Sequence, residues 1–114
     1  QSARLMASAQ KHSEWMASAQ KLSHTGENGS TPQDRAEDAG YEGTAGENIA
    51  AGQSTTRTVF QDWLGSPGHR ANIETDSWEE IGFGRSIAEQ DDVYSGFYWV
   101  VNFGRLDCQQ EEDV

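Results

Sequence analysis

Apolar and small side chains along the first 21 residues return at three- and four-residue steps. Leu5, Ala9, His12, Met16 and Ala19 thereby fall on one face, and the spacing predicts a helix over 2–21. Within it the hexad Met-Ala-Ser-Ala-Gln-Lys occurs at Met6 and again at Met16. Ten residues are close to three helical turns, so the two copies are expected to face nearly the same way. A single echo is too little for a repeat architecture. No capping residue is read ahead of this helix, which starts as if cut into.

From Leu22 to Ser30 the period stops in a polar loop. Thr31-Pro32-Gln33-Asp34 reads as an N-cap followed by proline at the first helical position, opening a short helix that ends before Gly40. Tyr41 to Gly46 is a glycine-rich connection, and Ile49-Ala50-Ala51 a short strand or turn. Ser54-Thr55-Thr56 caps a further helix with Val59, Phe60, Trp63 and Leu64 on its apolar face, ended by Gly65. Ser66-Pro67 opens one more helical turn through Ala71. The period then changes. Trp78 to Ile87 reads as a strand interrupted by Gly82 and Gly84, and Tyr94 to Phe103, rich in aromatic and β-branched residues, as a second. Ala88 to Asp92 is the hairpin loop between them. Helices followed by an antiparallel pair make the class α+β, with helices packed on a small sheet.

The chain has 114 residues, enough for one domain with one modest core. Its mean hydropathy is low, −0.81, which four Trp, three Tyr and four Phe offset because each aromatic buries a large area. A formal net charge of −11 makes nucleic acid and anionic membrane surfaces poor partners, since both repel an acidic surface, and attracts cations. No apolar run reaches the length of about 20 residues that spans a bilayer. The chain carries no signal peptide and begins at Gln1, as expected of a processed fragment. Residues 1–107 read as the domain and 108–114 as an acidic tail. Cys108, the one cysteine, forms no internal disulfide, so the core must hold without a cross-link.

Three segments carry the candidate chemistry: Ser23-His24-Thr25-Gly26, Gly46-Glu47-Asn48 and Ser66-Pro67-Gly68-His69-Arg70, all read as loops. Glu47 leads into an apolar stretch, where a carboxylate is costly unless paired. His69 follows the proline that opens a helix, where the dipole favours the neutral, metal-binding imidazole. Two such imidazoles can hold Zn²⁺ at about 2.0–2.1 Å, with water in the open positions. Glu47 would then orient or deprotonate that water. Two protein ligands are fewer than the usual three, so occupancy is expected to be weak or conditional. Without a metal, the same three side chains would form a cluster that ties loops together. His12 is assigned to packing, Gly26-Glu27-Asn28 to a solvent turn, and Trp99 and Phe103 to the core.

Taken in order, Ser23-His24-Thr25-Gly26, Ala39-Gly40-Tyr41, Gly46-Glu47-Asn48-Ile49-Ala50-Ala51-Gly52, Trp63, Ser66-Pro67-Gly68-His69-Arg70-Ala71-Asn72-Ile73, Glu80-Ile81-Gly82-Phe83-Gly84 and Tyr98 to Gly104 resemble the bacterial SCP-like branch of the CAP superfamily. That superfamily includes cysteine-rich secretory proteins, antigen 5 and plant pathogenesis-related proteins. The resemblance implies an α-β-α sandwich around an antiparallel sheet, with a cleft holding two His and two Glu that in several members binds Zn²⁺ or another divalent cation. His24, Glu47 and His69 match three of these positions. The fourth, a Glu on the helix carrying Trp63, falls at Ser66. A helix that usually precedes the one at Leu5 is missing here.

The resemblance implies an exported bacterial domain, secreted or in the cell envelope, whose cleft takes a divalent cation through His24 and His69. It would act as a binding or interaction module for a small ligand, lipid or peptide, or for a protein. Family members are implicated in sterol or lipid binding, protein interaction, signalling and, in some cases, proteolysis. The alternatives are a metal-dependent hydrolase with Glu47 as general base, and a structural domain whose polar cluster only joins loops.

Overall fold

A computed structural model describes residues 1–89 and 96–106. The elements run α1 (Ala3–Ala19), a 3-10 turn (Glu27–Gly29), α2 (Pro32–Asp38), β1 (Gly43–Ala51), α3 (Thr56–Leu64), α4 (Pro67–Glu74), β2 (Glu80–Ile87) and β3 (Phe97–Leu106). The three strands form an antiparallel sheet in the order β1-β3-β2. The expected hairpin loop is seen at Ala88 and Glu89. Its remainder, Tyr94, Cys108 and the acidic tail lie outside the described residues.

Side chains alternate across a strand, and here the two faces are both buried. Ile49, Tyr98 and Val100 pack with Ala9, Met16 and Ala17 of α1. Ala50, Trp99, Val101 and Phe103, the intervening positions, pack with Val59 and Trp63 of α3. Helices thus cover both faces, giving the α-β-α sandwich. Trp99 and Phe103 are core. On the α1 side, β2 presents Gly82 and Gly84, where a methyl group would run into the α1 backbone at Leu5–Met6 and Ala9–Gln10. The glycines that interrupt the strand pattern are what lets helix and sheet touch backbone to backbone.

Several expectations are corrected. Ser2 caps α1, its Oγ accepting from the Leu5 N–H at 3.2 Å. Met6 is 40% exposed while Met16 is fully buried, because ten residues fall about 80° short of three turns. The glycine-rich connection and the short strand or turn are one nine-residue strand, β1. Small residues there reflect close neighbours: a side chain at Gly46 would meet the Trp78 indole at 2.8 Å. Leu64 is exposed, since Val59 and Trp63 already fill the α3 contact. The final helix runs on to Glu74. The second long strand is shifted to Phe97–Leu106. The capped helix α2 forms as read, with a reciprocal Thr31–Asp34 capping box.

Candidate functional site: a histidine-carboxylate cluster

Glu47 lies at the middle of β1, opposite Asn102 of β3, and both point to the α1 side of the sheet. Its carboxylate, expected in a loop, is held in a strand with the side chain 1% exposed. Three donors satisfy it. His24 Nδ1–H reaches Oε1 at 2.9 Å. Arg35 Nη2 bridges both oxygens at 3.1 and 2.9 Å. Asn102 Nδ2 reaches Oε2 at 3.2 Å. Burial pushes the Glu47 carboxyl pKa up, but the His24 hydrogen bond and the Arg35 charge outweigh it and hold the pKa below the usual range.

His24 stands in the loop after α1 with its ring half exposed. Two buried side chains fix that loop's backbone. His12 Nε2–H donates to the Ser23 carbonyl at 2.8 Å, and Arg35 Nη2 donates to the His24 carbonyl at 2.9 Å. Arg35 Nη1 closes the far end of the loop on the Ser30 carbonyl at 2.8 Å. The ring is therefore oriented twice, through its backbone and through Nδ1. With Nδ1–H given to Glu47, Nε2 is the nitrogen whose lone pair is available.

His69 is the third residue of α4, not a loop residue. Its Nδ1 shares a 3.1 Å hydrogen bond with Ser66 Oγ. Ser66 belongs not to the Trp63 helix but to the α4 N-cap position, and there its hydroxyl bonds the histidine ring instead of capping the helix. Asparagines tie α4 to β1. Asn48 Nδ2 donates to the His69 carbonyl at 3.0 Å. Asn72 Nδ2 donates to Asn48 Oδ1 at 2.9 Å and to the Glu47 carbonyl at 3.3 Å. Burial first, and the nearby His24 second, lower the His69 pKa.

The structure thus brings His24 and Glu47 into contact and anchors His69 on the neighbouring segment of β1. Both histidines engage Nδ1 with a protein partner, His24 donating to the Glu47 carboxylate and His69 sharing a hydrogen bond with the Ser66 hydroxyl. Among the described residues, no group of three or more His, Cys, Asp or Glu is arranged to hold a metal. In donor type the two imidazoles suit a divalent cation, but they are fewer than the three protein ligands of a usual catalytic zinc site.

Sequence reasoning missed Arg35, Asn102 and the Asn48–Asn72 pair. A signal for Arg35 existed: a carboxylate buried in a strand needs a cation, and the chain has only eight Lys and Arg. His12 is buried as expected and stacks on Trp15 with ring centroids 5.7 Å apart. Its Nδ1 has no partner among the described residues, so it is only half satisfied. Gly26-Glu27-Asn28 does lead into a solvent-exposed turn, with Asn28 left-handed at φ 58°.

The sequence profile of the cysteine-rich secretory protein (CAP) family matches residues 1–103. The Bacillus subtilis protein YkwD is 43% identical over 60 residues, which is 53% of this chain and 21% of that protein. An extracellular protein containing a SCP domain from Bacillus anthracis superposes with a TM-score of 0.75 at 33% identity, over 90% of this chain and 32% of that one. An outer surface protein of Borrelia burgdorferi, at 22% identity, shares the fold, with a TM-score of 0.79 over 93% of this chain and 76% of its own. The chain spans only about a fifth of YkwD and a third of the Bacillus anthracis protein. With the family profile covering nearly all of its length and a SCP-domain structure matching its fold, the chain belongs to the cysteine-rich secretory protein family, as a bacterial SCP-like domain.

Proposed function

We propose that this domain is a binding module of the extracellular space or cell envelope whose cleft takes a divalent cation, Zn²⁺ or a similar ion, through Nε2 of His24 and Nε2 of His69. The observation that carries the reading is the commitment of both Nδ1 atoms, His24 to Glu47 and His69 to Ser66. A metal-binding imidazole is commonly oriented by giving its second nitrogen to a carboxylate, a backbone carbonyl or water, as His24 does to Glu47. The extracellular assignment is supported by the descriptions of the two structural neighbours. Bound there, the cation would supply a Lewis acid and open positions for a ligand's donor atoms.

Glu47 serves in this reading as the group that positions His24. A general base needs an accessible carboxylate with a pKa near the working pH. Glu47 is enclosed by three donors and held as a low-pKa carboxylate. Binding is therefore favoured over hydrolysis. Zinc at ten times its Kd should raise stability by about 1.4 kcal/mol, several degrees in Tm for a domain of this size. His69→Ala should abolish the shift. Glu47→Gln should weaken zinc binding by roughly 10–100-fold. A thermal melt at neutral pH that zinc leaves unmoved would overturn the metal assignment.

A further inference from the structure

A cavity of about 300 Å³ lies between α1, α2 and the turn at residues 27–30. His24, Glu47 and His69 take no part in its wall. Arg35 does, together with Ser8 and His12. Each of these three carries a buried polar atom without a hydrogen-bond partner among the described residues: Arg35 Nε, Ser8 Oγ and His12 Nδ1. Their roles differ. Arg35 Nε–H can only donate. His12 Nδ1 can only accept, because Nε2 carries the proton given to Ser23 and burial keeps the ring neutral. The two side chains are close, since a point beside the Gly26 Cα lies 3.0 Å from both His12 Nδ1 and Arg35 Nη1.

The exposed part of the wall repeats the same duality. Lys11 offers an ammonium, and Glu27 and Asp38 offer carboxylates. Among the described residues these three side chains make no hydrogen bond or ion pair, although the Glu27 carbonyl accepts from the Ser30 N–H. A ligand with a single charge would satisfy half of this wall and be opposed by the other half. The half-buried Trp15 adds an aromatic surface. The volume lies at the small end of ligand pockets.

We propose that this cavity binds a free α-amino acid with an apolar side chain. The carboxylate accepts from Arg35 Nε–H and Lys11. The ammonium donates to His12 Nδ1 and lies toward Glu27 and Asp38. The side chain covers Trp15.

The experiment is an amide NMR titration of the whole domain with L-leucine, 3-methylbutylamine and 4-methylpentanoate, three probes of one shape that differ in charge. Leucine should shift α1, α2 and 27–30 resonances saturably. The amine and the acid should each bind about tenfold more weakly, as expected for loss of one charge-assisted hydrogen bond. Lys11→Ala and Asp38→Asn, both at exposed positions, should each weaken leucine by a similar factor. Absence of a saturable leucine shift at about 10 mM, where a millimolar Kd would be saturated, overturns the proposal. So does equal binding of the amine or the acid, or leucine binding that neither variant weakens. His69→Ala should leave leucine binding unchanged, so failure here and failure of the cleft's metal reading are separately visible.

Discussion

At the scale of single residues, the domain turns on a buried ion pair. Arg35 is 9% and Glu47 1% exposed at the side chain, and Arg35 also holds both ends of the His24 loop. Removing one partner of such a pair leaves an uncompensated charge, so Arg35→Met should cost roughly 3–5 kcal/mol in denaturant unfolding. The loss should shrink in acid, where Glu47 can protonate. In the native protein the Glu47 pKa is depressed, so its contribution is present above the unfolded value of about 4.3 and is lost as pH falls through the folded one. His12 gives an opposite kind of group in a different window. Its folded pKa is lowered by burial, so below about 6.5 the unfolded chain binds the extra proton and stability declines. Between about pH 6.5 and 5 the Tm should fall, and His12→Gln should flatten that stretch. An unchanged slope in the variant would exclude His12 as the source. His24 and Glu47 were readable as a pair of functional types. For Arg35 the sequence signalled only that Glu47 needs some cation; which of the eight Lys and Arg supplies it is set where α2 crosses β1.

Secondary-structure elements show why small residues dominate this sequence. Gly82 and Gly84 look like breaks in a strand, yet they are the contact surface for α1. Gly84→Ala should destabilise by about 1–3 kcal/mol or more, because the added methyl meets backbone that cannot rotate away. Gly68→Ala is the control. It lies within α4 with nothing within 4 Å, and should stabilise by about 0.5–1 kcal/mol. Urea midpoints of the two variants should move in opposite directions. The same logic explains β1, whose Gly and Ala residues hid a strand carrying the central carboxylate. Strand propensity favours side chains that fill a pleated surface, whereas at Gly46 the Trp78 indole supplies the filling from elsewhere. Caps were more legible. The Thr31–Asp34 box and the Thr55 cap depend on residues three positions apart and need no tertiary information.

For the whole molecule, helices on both faces of a three-stranded sheet bury the core and bring a loop, a strand and a helix together near Glu47. Most of the helices, the two late strands, the α+β class and the family were readable along the chain, because amphipathic period, caps and motif order are local or linear properties. His24, Glu47 and His69 were likewise identifiable as types of chemistry. Their surroundings were decided by packing. Only the folded sheet puts Asn102 opposite Glu47 and brings Arg35 across from α2. Sequence patterning by itself determined which residues could act and which faces must be buried. Tertiary structure decided the partners of Glu47, since His24, Arg35 and Asn102 reach its carboxylate from segments distant in the chain.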